Sequence, residues 1–145
     1  MRRKFLISIS IISLLVIILP GYCRTADNTF EQLKSELKKE DVSDEFIKIS
    51  ESSVKRMIAA AVPIADVRSV LSDLWTQRVK GRALKNAVAA VAELVESGDN
   101  ILEAAKIASG AAHKAESEGL SGFGVAMRVK RAVQDRKAYL KTSNK

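Results

Sequence analysis

Apolar residues in this chain recur at helical intervals, and no segment alternates in the manner of a half-buried strand. Val67, Val70, Leu71 and Leu74 form an i, i+3, i+4, i+7 stripe, and Leu84, Val88, Val91 and Val95 form another. Further stripes run through Phe30, Leu33 and Leu37, through Phe46, Val54, Met57 and Ala61, and through Val125, Val129, Ala132, Val133 and Leu140. This pattern predicts an all-α fold of five to six helices in antiparallel hairpins, as a bundle or a short hairpin-repeat array.

Punctuation between the stripes is specific. Thr29 and Gln32 have capping-box spacing, and Ser43 stands ahead of Asp44 and Glu45, whose charges suit a helix N-terminus. Pro63 ends the second helix and fits the first turn of the third. Gly81 marks a break, and Gly98 ends the fourth helix with Asp99 placed to cap the fifth. The fifth helix, 100–118, carries the stripe Ile101, Ala104, Ala105, Ala108, Ala111, Ala112 and Ala115. Such a stripe buries little area per residue but permits close approach, which predicts the innermost or most tightly packed position.

"SEGLSGFGVAM" (117–127) holds Gly119, Gly122 and Gly124 and invites comparison with a phosphate-binding loop. It follows a helix rather than a strand and has neither the GxGxxG order nor the GK[ST] ending. The stretch reads as a helix stop at Gly119, an apolar contact from Leu120 and a new cap at Ser121. "VKGRAL" (79–84) and "LSGFGV" (120–125) align at a spacing of 41, which suggests two hairpins over 63–97 and 99–140. With these junctions the chain resembles, over residues 57–140, a group of small exported bacterial proteins built from Ala-rich helical hairpins with Gly-Leu-Ser or Val-Pro junctions. That resemblance implies helical hairpins and export, and no activity.

Ahead of the helices, Arg2, Arg3 and Lys4 precede an uncharged run from Phe5 to Leu19 that breaks at Pro20-Gly21. A charged start, a short apolar stretch and a helix-breaking exit are the layout of a secretory signal. As a helix the run reaches roughly 22 Å, short of a hydrocarbon core of roughly 30 Å. An uncleaved anchor is the competing reading, and both send the chain from about residue 24 across the membrane. Cys23, the single cysteine, sits where a bacterial lipoprotein accepts its lipid, although Pro20 and Tyr22 depart from the usual leucine and small residue there. Ordinary cleavage near Gly21, Cys23 or Ala26 fits as well, and one thiol excludes an intramolecular disulfide. The expected layout is a signal peptide or lipoprotein signal over 1–23, a linker over 24–28, a helical domain over 29–140 and a basic tail over 141–145. The expected location is periplasmic or extracellular, with membrane attachment if the segment is lipidated or retained.

Chemistry is sparse. His113 is the only histidine, and with Glu116 three residues on it forms half a site at best. Glu40, Asp41, Asp44 and Glu45 lack the alternating ligand loop and glycine of a calcium hand. No serine has a GxSxG context. Neither an enzyme, a cofactor, a metal nor a small-molecule substrate is expected.

Charge is the partner signal. The full chain carries +7, and residues 124–145 hold seven bases against one acid, whereas 27–55 hold eight acids against five bases. On the last helix Phe123, Met127, Lys130, Gln134, Lys137 and Lys141 fall on one side, with Arg128, Arg131 and Arg136 around the rest. This face suits an anionic surface, against the plainer reading of a solvated helix whose bases complement its C-terminal dipole. Nucleic acid is the weakest partner because no aromatic stacking platform accompanies the bases. Trp75, at the rim of the third stripe, is read as packing over a hairpin edge, with partner contact as the alternative. The functional expectation is an exported, non-enzymatic binding or structural module of the envelope with an unknown partner. The alternative is a soluble basic protein that binds anionic envelope material or acts as a small helical chaperone.

Overall fold

The computed structural model describes residues 26–77 and 81–143. The signal segment, Cys23 and the last two residues of the tail lie outside the described residues. Six helices and no strand appear among the described residues: α1 (26–39), α2 (Asp44–Ala59), α3 (Ile64–Thr76), α4 (Gly81–Glu96), α5 (Ile101–Ser117) and α6 (Gly122–Ser143). They pack as a bundle, and none among the described residues is long and apolar enough to cross a membrane.

α4 is the hub. It packs against α2, α3, α5 and α6, and Ala83, Leu84, Ala87, Val88, Ala90, Val91, Ala92, Leu94 and Val95 are all buried along it. Lys85 and Glu93 are the only charges between Arg82 and Glu96, so little of its circumference resists burial. α5 packs on α4, α6 and α3 and buries Ala104, Ala108, Ala112 and Ala115 completely. The alanine stripe is buried, but the innermost place belongs to α4. Its alternation of leucine and valine with alanine fills space in several directions, whereas α5 buries one narrow face. α6 closes the other side with Val125, Val129 and Val133.

Four helix stops, those of α1, α2, α4 and α5, share one construction, whereas α3 ends on the extended Gln77. At four junctions a residue with positive φ follows the helix: Asp41 (φ 58), Ala61 (φ 59), Gly98 (φ 88) and Gly119 (φ 74). The next residue's N–H then donates back to a carbonyl five positions earlier: Val42 to Leu37 at 3.2 Å, Val62 to Met57 at 3.1 Å, Asp99 to Leu94 at 3.0 Å and Leu120 to Ala115 at 3.0 Å. This is the Schellman closure, which satisfies carbonyls at the helix end. Ser43, Pro63, Asn100 and Ser121 follow in turn. From Asp41 to Gly98 is 57 positions, and from Ala61 to Gly119 is 58. The stops thus repeat as three helices followed by three, not as the 41-residue hairpin pair that Gly81 and Gly122 suggest. Those two glycines have unlike backbones, since Gly81 has φ +59 whereas Gly122 lies outside the positive-φ region.

Other expectations shift locally. Helix α1 is already formed at residue 26, so Thr29 lies inside it rather than capping it, and the linker over 24–28 is helical in its described part. Ala61 belongs to the turn, exposed, and not to the α2 stripe. Ser43 caps α2 as expected, its Oγ accepting the Phe46 N–H at 3.1 Å. Asn100, not Asp99, caps α5: its Oδ1 accepts the Leu102 N–H at 2.9 Å. Asp99 is recruited elsewhere.

An alanine in the left-handed region is strained relative to glycine. Ala61→Gly should therefore raise stability by about 0.5–1 kcal/mol. Gly98→Ala should lower it by about 1 kcal/mol through φ alone, because an added Cβ at Gly98 meets nothing within 4 Å. Urea midpoints with unchanged slopes would establish both.

Candidate functional site

The basic face is built on α6, and its orientation follows from what α6 buries. Val125, Val129 and Val133 face the core, which turns Phe123, Met127, Lys130, Gln134 and Lys141 outward. Three ion pairs fix that roll. Arg136 donates two hydrogen bonds to Asp99, from Nε and Nη2, both at 2.8 Å. Lys137 donates to Glu93 of α4 at 2.7 Å, and Arg128 to Glu118 at 2.8 Å.

The Arg136–Asp99 pair is the most sheltered of these, with the Asp99 side chain 2% exposed. Asp99 also accepts the Asn100 N–H at 3.0 Å. Arg136 holds the Asp99 carboxyl below the usual carboxylate range through its hydrogen bonds, with burial opposing and the Asn100 N–H assisting. The Arg136 guanidinium also lies 5.0 Å from the Tyr139 ring centroid.

These pairings sort the expected binding residues into two groups. Arg128 and Lys137 are engaged within the fold, and Lys137 turns toward α4 instead of joining the outer stripe. Lys130, Arg131 and Lys141 are exposed and form no ion pair among the described residues. Asp135, the only acid of α6, lies with Arg131 along a shallow depression that Gly124, Met127, Lys130 and Gln134 also line, and it pairs with none of them. Beside these unpaired charges stand Phe123, 79% exposed, and Met127, 51% exposed. The result is an exposed helix face that is apolar at its start and cationic along its length. A wheel of α6 alone shows the bases. The acids that neutralise some of them sit on α4 and in the turns before α5 and α6, out of reach of any single-helix pattern.

The remaining candidates lie elsewhere on the bundle. Trp75 is partly buried and stacks on Phe46, with ring centroids 5.5 Å apart and planes at 24°. It thereby joins α3 to α2 beside a hollow lined by Ser43, Glu45, Ile49 and Leu84. His113 is exposed near Gln77, Ser109 and Gly110. Asp44 pairs with Lys38 at 2.7 Å, and Glu40 with Arg68 at 3.5 Å, so these acids bind α1 to its neighbours. No group of three His, Cys, Asp or Glu side chains among the described residues converges to hold a metal ion.

No family model, curated protein or solved structure matches the chain.

Proposed function

We propose that this protein is an exported, non-enzymatic helical module of the cell envelope whose working surface is the outer face of α6, engaging an anionic partner surface. The observation that carries the reading is the sorting of charge on α6. Arg128, Arg136 and Lys137 are neutralised by acids of the fold, whereas Lys130, Arg131 and Lys141 point outward unpaired among the described residues. Internal pairing orients the helix and leaves these three cations on its exposed side, which supports recognition of an anionic surface. Export enters this proposal from the N-terminal charge and hydropathy pattern alone.

Each basic residue near an anionic surface contributes about 1 kcal/mol. Replacing Lys130, Arg131 and Lys141 together by glutamine should weaken adsorption to phosphocellulose about a hundredfold at low salt. A matched variant at Lys39, Lys48 and Lys85, exposed on other helices, removes equal charge from elsewhere. It should adsorb almost as the unmodified chain does. Equal losses in the two triples would reduce the effect to net charge and end the proposal.

A further inference from the structure

The start of α6 has apolar as well as cationic character, and its shape indicates what it meets. Leu120 leaves the α5 stop and folds over Gly124, where an added Cβ would lie 3.0 Å from the Leu120 Cβ. The close approach exists because residue 124 has no side chain. Leu120, at 37% exposure, joins Phe123 and Met127 in an apolar tip at the α5–α6 turn. From Phe123, Lys130 lies about 10 Å along the axis and Lys141 about 27 Å, on the same side of the cylinder.

We infer that α6 lies flat on an anionic phospholipid surface, with Leu120, Phe123 and Met127 dipping into the acyl boundary and Lys130, Arg131 and Lys141 on headgroup phosphates. This inference rests on the anionic-surface reading of α6 and names the surface. Phe123 and Met127 stand exposed beside exposed bases, the combination of apolar and basic side chains that a helix lying in a lipid interface presents. Long lysine and arginine stems reach headgroups while their methylenes remain at the apolar boundary. A second copy of the chain is the wrong occupant. A two-fold contact through this face would crowd Lys130, Arg131 and Lys141 of both copies into one interface, with Asp135 the only acid of each helix to oppose them.

Vesicles of phosphatidylglycerol and phosphatidylcholine, with bromines on the acyl chains, test the insertion. In the full chain, Phe123→Trp should give a new emission that shifts to shorter wavelength on binding and is quenched by the bromines. The partly buried Trp75 of the unmodified chain supplies the baseline. The double variant F123S/M127S, which retains every base, should bind these vesicles about tenfold more weakly while adsorbing to phosphocellulose as before. Vesicle-bound Phe123→Trp protein that the bromines do not quench overturns the inference, as does a double variant that binds vesicles as tightly as the unmodified chain. Adsorption to phosphocellulose without vesicle binding overturns the lipid assignment and leaves the anionic-surface reading standing. Failure on both matrices removes both.

Discussion

Leu94→Ala should lower the free energy of unfolding by about 3–4 kcal/mol, a large share of the roughly 5–15 kcal/mol available to a protein of this size. Leu94 is fully buried on α4, the helix that contacts α2, α3, α5 and α6. Truncation removes apolar contact and leaves a cavity that surrounding helices fill only in part. The backbone role of residue 94 survives, because its carbonyl still accepts the Ser97 and Asp99 N–H groups, each at 3.0 Å. The loss thus reports side-chain packing alone. Leu102→Ala is the control: Leu102 is 49% exposed at the start of α5, and its truncation should cost no more than about 0.5 kcal/mol. Urea unfolding at 25 °C measures both. A cost below about 1 kcal/mol for Leu94→Ala would move the centre of the bundle away from α4.

Helix identity was legible in the sequence because burial follows a 3.6-residue period. Val67, Val70, Leu71 and Leu74 are all buried, as are Leu84, Val88, Val91 and Val95. The hub was harder to see. α4 alternates large and small apolar residues around much of its surface, and periodicity picks out its strongest stripe while passing over Ala83, Ala87, Ala90 and Ala92. Two of the four left-handed helix stops escaped the glycine rule for a related reason. Asp41 and Ala61 take the left-handed conformation although only their neighbours' hydrogen bonds, and no glycine, mark the site. With all four stops in view, the three-plus-three order emerges. The same limit applies to α6: its Val125-Val129-Val133 stripe was legible, whereas the partners of Arg128, Arg136 and Lys137 depend on tertiary placement.

The Asp99–Arg136 pair links that placement to stability. Asp99→Ala should lower stability by about 2 kcal/mol, since the sheltered Asp99 accepts two hydrogen bonds from Arg136 and hydrogen bonds to charged groups contribute roughly 1.5–3 kcal/mol. Partial exposure of Arg136, 24% for its side chain, lets water relieve some of that loss. The pH dependence has a definite sign. The Asp99 pKa is lower in the folded protein than in the unfolded chain, so its contribution is fully present above the unfolded value of about 3.9. The contribution then disappears as pH falls through the lower, folded value. The stability gap between the unmodified chain and Asp99→Asn should accordingly be constant above about pH 5 and shrink below pH 4. Glu96, lowered by its hydrogen bonds to Arg56, leaves a residual acid sensitivity in the variant. Because Asp99 only fixes the roll of α6, Asp99→Asn should still bind anionic vesicles at temperatures where it remains folded. The glutamine triple at Lys130, Arg131 and Lys141 should do the opposite, keeping its stability and losing the surface. A variant set in which stability and vesicle binding fell together would make Asp99 part of the binding face, contrary to its burial under Arg136.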